Sequence, residues 1–513
     1  MSDPTSIRDP PNPPARRLRV VLAGTHPQQF NGYSKVVYEL ARRLAEEADL
    51  EVHVFGFQNL NPGAPPHRAL PESVQVYDAM ANESPVKQGF GVDQICGYCR
   101  TVEPDVFVVY NDMIVVSAML EQLAEARKER DFKVVAYVDQ VYEHQKKAFV
   151  DTLNEKADAC VAFTPYWEGV LRAEGVRGPM YHLQHGFDPD TYHPVPKELA
   201  RRYFGIPPDD FIVLNLNRNQ PRKRWDVCLK AWSQLVSVRG ESARGAGAKP
   251  FKMVVGTAMN GAWNLLEVYE RELKKRGVTI EEGMRHMIFI NSPQKLSDFQ
   301  VNVLMNAADV GVNTCDGEGF GLCTFEQAGI GIAQVAPAIG GFTDYLDSES
   351  AALVDPVLNY YVDNSRDKVG GEAQMCDYGD FADAIEAYME SPELAARHGA
   401  EARKRILSGK YSWDTLARKL AGILRETTAP PERRADPGPE PGAGTLVAEA
   451  EVSRTPATAT VGLEEEETKP TAATEPKPAA TPEAATEETS EQIHKKLQDM
   501  MAEIDRLRTI LSA

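Results

Sequence analysis

The chain has 513 residues, 42% of them apolar and 8% aromatic, which is enough for two or three domains with sizeable cores. Its formal net charge of −19 argues against nucleic acid or an anionic membrane surface as the main partner. It contains no run of about 18 apolar residues, so we expect no transmembrane helix.

The first 17 residues are Pro-rich and polar and lack the apolar core of a signal peptide. We therefore expect a flexible leader and a cytoplasmic location. Seven cysteines are scattered over the rest of the chain, and an odd, scattered set is not typical of a disulfide framework. Cys96 and Cys99 form a lone C-x-x-C pair without further ligands at zinc spacing, so we predict no metal site there.

Residues 18–194 alternate apolar strands with amphipathic helices, such as the helix predicted over Tyr33–Glu46. Strands separated by helices imply parallel order and an open, doubly wound sheet, whose ligands bind at the carboxyl ends of the strands. The predicted strands of this Rossmann-like domain are Leu18–Ala23, Glu51–Gly56, Asp105–Tyr110, Lys133–Val138 and Ala157–Phe163.

Residues 195–410 repeat this alternation and predict a second Rossmann-like domain, and residues 411–426 follow as a last amphipathic helix. The predicted strands of the second domain are Phe211–Asn215, Phe251–Val255, His286–Ile290, Ala308–Asn313, Ala333–Pro337 and Ala352–Val354. Its predicted helices are Trp225–Val236, Ser297–Ala307, Tyr378–Glu390 and Pro392–Leu407.

Residues 427–490 hold ten prolines, no aromatic residue, 13 acidic and 5 basic side chains, a composition that predicts a disordered acidic linker. Residues 491–513 then carry a heptad seam of six apolar residues: Ile493, Leu497, Met500, Ile504, Leu507 and Leu511. A lone helix of this length is marginal in water, so we expect a coiled coil that makes the protein a homo-oligomer. The alternative is a helix packed on the body or on another protein.

Two glutamates bracket the segment Glu318-Gly-Phe-Gly-Leu-Cys-Thr-Phe-Glu326. A buried strand is predicted just before it, and a helix is predicted to begin after Gly321. The turn therefore joins the carboxyl end of a strand to the amino end of a helix, where free backbone N–H groups favour an anion such as phosphate. A strand–turn–helix junction with two solvated glutamates is the plainer alternative.

Two other predicted loops also follow the carboxyl end of a strand. Gly32 follows the first strand and opens the first helix, where a missing side chain lets a ligand approach the backbone. Arg218 and Lys223 follow the first strand of the second domain, where two cations favour an anionic ligand. Arg222 and Arg224 are placed to share this task. An ordinary helix start and a basic surface turn are the corresponding alternatives.

These motifs, in this order over residues 18–426, resemble the E-x7-E family of retaining nucleotide-sugar glycosyltransferases with the two-domain GT-B architecture, specifically the family-4-like group. Gly340-Gly341 and the segment His185-Gly-Phe-Asp188 also resemble that family's pattern. The resemblance implies an α/β fold of two doubly wound domains, an acceptor domain over residues 18–194 and a donor domain over residues 195–410. It also implies that the helix at residues 411–426 crosses back onto the first domain.

The resemblance further implies a hexosyltransferase that needs no metal and no permanently bound cofactor, with a nucleoside-diphosphate sugar as donor. Glu318 would contact the donor sugar and Glu326 the ribose. The residues expected to bind the donor are Gly32, Arg218, Lys223, Glu318, Phe320, Gly321, Leu322, Cys323, Thr324 and Glu326. The acceptor would be a glycan, lipid, protein or small molecule.

Asp139 departs from the family's pattern, because many members of the family carry a histidine after the strand that corresponds to Lys133–Val138. We count Asp139 with Glu318, Arg218 and Lys223 as the catalytic candidates. An aspartate in place of this histidine also fits a catalytically inactive scaffold that acts through its coiled coil. A GT-B phosphorylase or epimerase is a third possibility. Cys323 lies at a helix N-terminus, a position that lowers the pKa of a thiol; we favour the other interpretation, a small residue packed under the phosphate site.

Overall fold

The apolar run Leu18–Thr25 forms the central strand β1 of a seven-stranded sheet. The computed structural model describes residues 16–60, 66–83, 88–240, 250–290, 296–362 and 368–430. The first sheet has the order β3-β2-β1-β4-β5-β6-β7, and every pairing in it is parallel. Its remaining strands are β2 Leu50–Phe57, β3 Gln75–Asp78, β4 Val106–Asp112, β5 Lys133–Asp139, β6 Ala159–Ala162 and β7 Met180–His182.

A second parallel sheet has six strands in the order β10-β9-β8-β11-β12-β13. Its strands are β8 Phe211–Asn215, β9 Phe251–Val255, β10 Met287–Phe289, β11 Val310–Val312, β12 Ala333–Pro337 and β13 Ala352–Val354. A separate antiparallel pair follows it, formed by β14 Pro356–Tyr361 and β15 Glu372–Cys376. We call the parts built on the two large sheets the first lobe and the second lobe.

Helices cover both large sheets, as the alternating pattern predicts. In the first lobe they are α1 Gly32–Leu44, α2 Ile95–Val102, α3 Met113–Ala126, α4 Lys147–Lys156 and α5 Pro165–Ala173. In the second lobe they are α6 Lys197–Phe204, α7 Trp225–Arg239, α8 Leu265–Lys275, α9 Ile280–Arg285, α10 Asp298–Asn306, α11 Leu322–Gly329, α12 Tyr378–Glu390 and α13 Pro392–Ile406. Short 3₁₀ turns occur at Met80–Asn82, Val92–Gln94, Pro221–Lys223 and Gly340–Asp344.

The last described helix, α14 Trp413–Thr428, follows the second lobe in sequence but packs against α1 of the first lobe. Arg425 forms ion pairs at 2.6 Å with both Glu47 and Asp49 of the first lobe. A Cβ at Gly186 would lie 2.4 Å from the ring of Trp413, so only glycine allows this approach. The helix therefore joins the two lobes.

The predicted fold of two doubly wound parallel-sheet domains is confirmed. The strand alternation placed most of the elements, whereas β3, β7 and the β14–β15 pair were not predicted. The predicted acidic linker and coiled coil fall almost wholly on residues 431–513, which lie outside the described residues. Within the described part of the chain, no helix is both long and apolar enough to cross a bilayer.

Candidate active site

The turn between β11 and α11 lies at the carboxyl edge of the second sheet, as predicted. Gly321 has a φ of +87°, and a Cβ there would lie 2.4 Å from the ring of Phe342. Glycine alone tolerates a left-handed backbone packed this closely. No described side chain caps the N-terminus of α11. Its first backbone N–H groups are therefore available to an anion.

Two consecutive glycines, Gly340 and Gly341, pack against the backbone of this turn. A Cβ at Gly340 would lie 2.5 Å from the carbonyl oxygen of Glu318, and one at Gly341 would lie 2.2 Å from the carbonyl oxygen of Gly319. Gly341 N–H also donates to the Glu318 carbonyl at 3.1 Å. The Gly-Gly segment noted in the sequence thus holds the backbone of the turn in place.

Glu318 is buried at the start of the turn and is held by two cations. Lys223 Nζ and Arg222 Nη1 both donate to Glu318 Oε2, Arg222 at 3.1 Å. Burial favours the neutral acid, but the two adjacent positive charges outweigh it and lower the pKa of Glu318. Glu318 is therefore an ionised hydrogen-bond acceptor of fixed orientation.

Arg218 and Lys223, which the sequence placed together, have different surroundings. Lys223 is buried against Glu318, and Arg222 rather than Arg218 is the second cation on that carboxylate. Arg218 is exposed and forms no ion pair with any described residue. The guanidinium lies near the side chains of Tyr33, Arg222 and Cys323, the last of them at the start of α11. Such a guanidinium remains free to bind a phosphate.

Asp139, at the carboxyl end of β5, faces the turn from the first lobe. Tyr33 Oη donates to Asp139 Oδ2, while Oδ1 is buried and accepts no hydrogen bond from the described residues. A Cβ at Gly319 would lie 1.8 Å from Oδ1, so the glycine makes room for the carboxylate. Burial raises the pKa of Asp139 to about 6, although Arg222 and the Tyr33 hydrogen bond oppose the change.

Glu326 is paired with a residue that the sequence motifs did not indicate. Lys35 of α1 donates to Glu326 Oε1 at 2.5 Å and also to the hydroxyl of Tyr192. The side chains of Lys35 and Glu326 are 14% and 5% exposed, so this ion pair between the lobes is largely withdrawn from water. Burial raises the pKa of Glu326 despite the opposing charge of Lys35.

A second ion pair between the lobes lies beside the first. Arg68 donates to both oxygens of Asp298, at 2.9 and 3.1 Å, in a bidentate arrangement. The same guanidinium donates to the carbonyls of Pro27 and Gln29 and to Ser34 Oγ. Arg68 thus fixes the loop before α1 and ties it to α10. Lys35 follows Gly32 by three residues in the loop noted from the sequence, but no pattern there indicates its pairing with Glu326, and none marks Arg68.

Gly32 is the first residue of α1, and Asn31 caps that helix by accepting from Ser34 N at 2.9 Å. A Cβ on Gly32 would lie 2.9 Å from Leu322 Cδ1 of the second lobe. The glycine therefore allows the first loop of one lobe to approach the first turn of α11 in the other. Two of the residues expected to bind the donor, Gly32 and Leu322, thus lie close together.

The other residues of the turn have mixed surroundings. The Phe320 ring is buried between His185 and Phe325, at centroid distances of 4.8 and 4.9 Å, so only its backbone is available to a ligand. Thr324 Oγ1 accepts from Asn313 at 3.3 Å. The lowered pKa considered for Cys323 is wrong: burial raises the pKa of its thiol, and the carboxylate of Glu326 adds to the effect.

His185 serves the packing of the first lobe. Burial lowers its pKa to about 3, and it lies 3.3 Å from the hydroxyls of both Tyr110 and Tyr137. A neutral histidine inside an aromatic cluster is a core residue, so we assign His185 a structural role. No cluster of metal-ligating side chains occurs among the residues that the structure describes.

Comparison with known proteins gives the same architecture. A family model described as family 4 glycosyltransferase in conflict systems matches residues 28–420. Among curated proteins, D-inositol 3-phosphate glycosyltransferase 2 of Catenulispora acidiphila is 27% identical over 239 residues, 46% of this chain and 48% of the relative. The enzyme of Saccharomonospora viridis is 29% identical over 244 residues, 48% of this chain and 49% of the relative. The chain thus matches about half the length of these relatives.

Solved structures resemble the fold over most of the chain. Sucrose-phosphate synthase from Thermosynechococcus elongatus aligns with a TM-score of 0.59 at 18% identity, over 80% of this chain and 99% of that one. HepE from Anabaena, in complex with UDP and glucose, aligns with a TM-score of 0.58 at 15% identity over the same shares. Because the family model spans most of the sequence, the chain belongs to the family 4 glycosyltransferases in conflict systems.

Proposed function

We propose that the protein is a retaining glycosyltransferase that moves a hexose from a nucleoside-diphosphate sugar to a hydroxyl acceptor without a metal ion. Membership of the family and its two-lobed fold support this activity. UDP is the first nucleotide to consider, because the Anabaena neighbour is in complex with UDP and glucose. The proposal includes a glycan, a lipid, a protein or a small molecule as the acceptor.

One observation carries the proposal. The ionised Glu318, the start of α11 and the guanidinium of Arg218, the last two without a capping or ion-pair partner among the described residues, lie around one turn, opposite Asp139 of the first lobe. This arrangement offers a hydrogen-bond acceptor for sugar hydroxyls next to positive potential for a diphosphate. A solvated junction with two surface glutamates would not bury both carboxylates, yet Glu318 is 6% and Glu326 4% exposed.

Each residue then has a distinct role. Glu318 orients the donor sugar, and Lys223 and Arg222 keep it ionised. Arg218 and the backbone N–H groups from Gly321 to Thr324 hold the diphosphate and stabilise the charge that develops on it as the bond to the sugar breaks. Lys223 adds its positive charge to this field. Glu326 accepts hydrogen bonds from the ribose diol, for which Lys35 must yield part of its contact.

Asp139 completes the site from the first lobe. Its Oδ1 is a buried acceptor without a described partner, next to the turn that would hold the sugar. A substrate hydroxyl that donates to Oδ1 would satisfy it. No side chain is required as a covalent nucleophile, because the leaving phosphate takes the acceptor's proton on the same face of the sugar. The ion pairs between the lobes would close the cleft and exclude water.

The test is sugar-nucleotide turnover by three variants of the full chain, measured with a panel of UDP-, GDP- and ADP-hexoses. Glu318→Gln and Arg218→Met should each lower turnover about 100- to 1000-fold, as expected for groups that stabilise developing charge. Arg100→Met, which alters an exposed ion pair with Glu129, is the matched control and should retain activity. A folded wild type without turnover of any donor would favour the inactive scaffold instead.

A further inference from the structure

The antiparallel pair β14–β15 is a hairpin that belongs to neither large sheet. It leaves the second lobe after β13 and returns to it at α12. We call it the arm. The arm does not lie on its own lobe alone, because it also reaches the loop that follows β5 in the first lobe. We call that loop, residues 140–146, the β5 loop; it begins directly after Asp139.

Backbone and polar contacts join the arm to the β5 loop. Glu372 N–H in β15 donates to the carbonyl of Glu143 at 2.7 Å and forms an isolated antiparallel bridge with it. Lys146 Nζ donates to the carbonyl of Lys368 at 2.7 Å. His144 Nε2 lies 3.2 Å from Glu372 Oε2. The loop is thus held partly as an additional strand at the edge of the arm.

Apolar packing covers the same contact. Val141 and Tyr142 of the β5 loop form a small buried cluster with three arm residues, Val362, Val369 and Ala373. Gly371, with a φ of +107°, lets the two backbones approach: a Cβ there would lie 2.5 Å from the carbonyl oxygen of Glu143. The arm and the loop are therefore fitted to each other at backbone level, and a side chain on Gly371 would separate them.

A polar centre ties this contact to the active-site turn. Tyr360 Oη of the arm donates to Asp316 Oδ2, and Arg224 Nη1 donates both to Tyr360 Oη at 3.1 Å and to Asp316 Oδ2 at 3.2 Å. Tyr142 Oη of the β5 loop donates to Asp316 Oδ1 at 3.5 Å. Asp316 is 1% exposed and precedes Glu318 by two residues. One buried carboxylate thus connects the arm, the loop and the turn.

The other side of the β5 loop packs against the Glu318 turn. A Cβ at Gly317 would lie 2.3 Å from the ring of Tyr142, and one at Gly319 would meet Asp139 Oδ1. The β5 loop is therefore enclosed between the arm on one side and the Glu318 turn on the other. Both enclosing elements belong to the second lobe, although the loop belongs to the first.

We propose that the arm is a clamp that holds the β5 loop, and with it Asp139, against the Glu318 turn, and that Tyr360 is its principal positioning residue. The clamp sets the separation of Asp139 and Glu318 before any substrate binds. This role rests on the proposed transferase function only for its catalytic consequence. The holding of the loop is a property of the empty protein and is tested separately.

Hydrogen exchange of the ligand-free full chain tests the holding. Tyr360→Phe removes the hydroxyl between Arg224 and Asp316, and amides of residues 140–146 should exchange about tenfold faster, while those of β1 keep their rates. Tyr361→Phe is the matched control on the same strand, because Tyr361 is 71% exposed; it should change neither region. Unchanged exchange in Tyr360→Phe, or an equal rise throughout the first lobe, would overturn the proposal.

Turnover tests the catalytic consequence. Tyr360→Phe should lower transfer to the acceptor about tenfold while the affinity for UDP, measured by thermal stabilisation, stays unchanged. Gly371→Ala places a methyl group against the carbonyl of Glu143 and should likewise lower transfer to the acceptor. It replaces Tyr360→Phe in the experiment if that variant does not fold. Loss of UDP affinity in step with turnover would overturn the positioning role. If the wild type turned over no donor, the exchange experiment would still decide whether the clamp exists.

Discussion

Lys35 of the first lobe donates to Glu326 of the second lobe at 2.5 Å, although 291 positions separate them in the sequence. Both side chains are largely withdrawn from water. The carboxylate expected to bind the ribose is therefore already occupied by a cation from the opposite lobe. Asp298 pairs with Arg68 and lies 3.9 Å from Lys35, so three ion pairs join the lobes at the end where the nucleotide is proposed to bind.

Lys35→Met should destabilise the protein by about 3 kcal/mol, because it leaves a buried carboxylate without its cation. Glu326→Gln in the same chain should restore part of that loss. Urea unfolding of the two single variants and the double variant gives the coupling energy, which we expect to be about 1–3 kcal/mol. Additive losses, with no coupling, would show that the ion pair does not form.

Arg68→Lys should cost about 1–3 kcal/mol although it preserves the charge. An ammonium cannot reproduce the bidentate contact with Asp298 together with the bonds to Pro27, Gln29 and Ser34. Arg100→Lys is the matched control, since its ion pair with Glu129 is exposed, and should change stability by less than about 0.5 kcal/mol. Equal effects of the two substitutions on the melting temperature would contradict the structure.

Asp139 should make stability depend on pH. Its folded pKa of about 6 lies above its ordinary value of 3.8 because burial disfavours the charge, despite Arg222 and Tyr33, with Glu318 and Asp112 nearby. The fold therefore favours the protonated acid. This contribution is complete below pH 3.8 and is lost as the pH rises through 6, at a total cost of about 3 kcal/mol.

Asp139→Asn removes the titrating group and should be more stable than the wild type at pH 7.5. The difference should shrink steadily and nearly vanish at pH 4, and chemical unfolding across this range measures it. Asp151→Asn alters an exposed ion pair with Lys147 and should show no such trend. A wild type that is the more stable of the two at pH 7.5 would mean that Asp139 is stabilised as a carboxylate.

Cys323 should react slowly with iodoacetamide at neutral pH, because its raised pKa leaves little thiolate. The rate should increase about tenfold for each pH unit up to pH 9, as the thiolate fraction does. Peptide mapping by mass spectrometry measures the rate against free cysteine in the same buffer. Faster reaction than free cysteine at pH 7 would restore the expectation drawn from the helix N-terminus.

The sequence predicted those parts of the site that depend on local pattern. The turn from Glu318 to Glu326 was placed correctly because an apolar strand, two glycines and an amphipathic helix follow one another in order. Asp139 was placed at the end of its strand for the same reason. Apolar residues repeat with the period of a strand or of a helix, so these elements can be placed from the sequence alone.

Contacts between the lobes could not be predicted in this way. Lys35 meets Glu326, and Arg68 meets Asp298, only after both sheets have formed, and no spacing in the sequence indicates these pairs. The arm was missed because Val357, Leu358 and Tyr361 are exposed and β14 lacks the regular burial of a core strand. For Cys323 the position at the helix N-terminus was right, but the burial that outweighs it depends on tertiary packing.

Titration calorimetry of the full chain with UDP, GDP and ADP tests the central claim, that the cleft binds a nucleoside diphosphate through Arg218 and the start of α11. The account predicts saturable heat with at least one of the three and about tenfold weaker binding of that nucleotide by Arg218→Met. Absence of heat with all three, at concentrations up to several millimolar and with the protein folded, would contradict it.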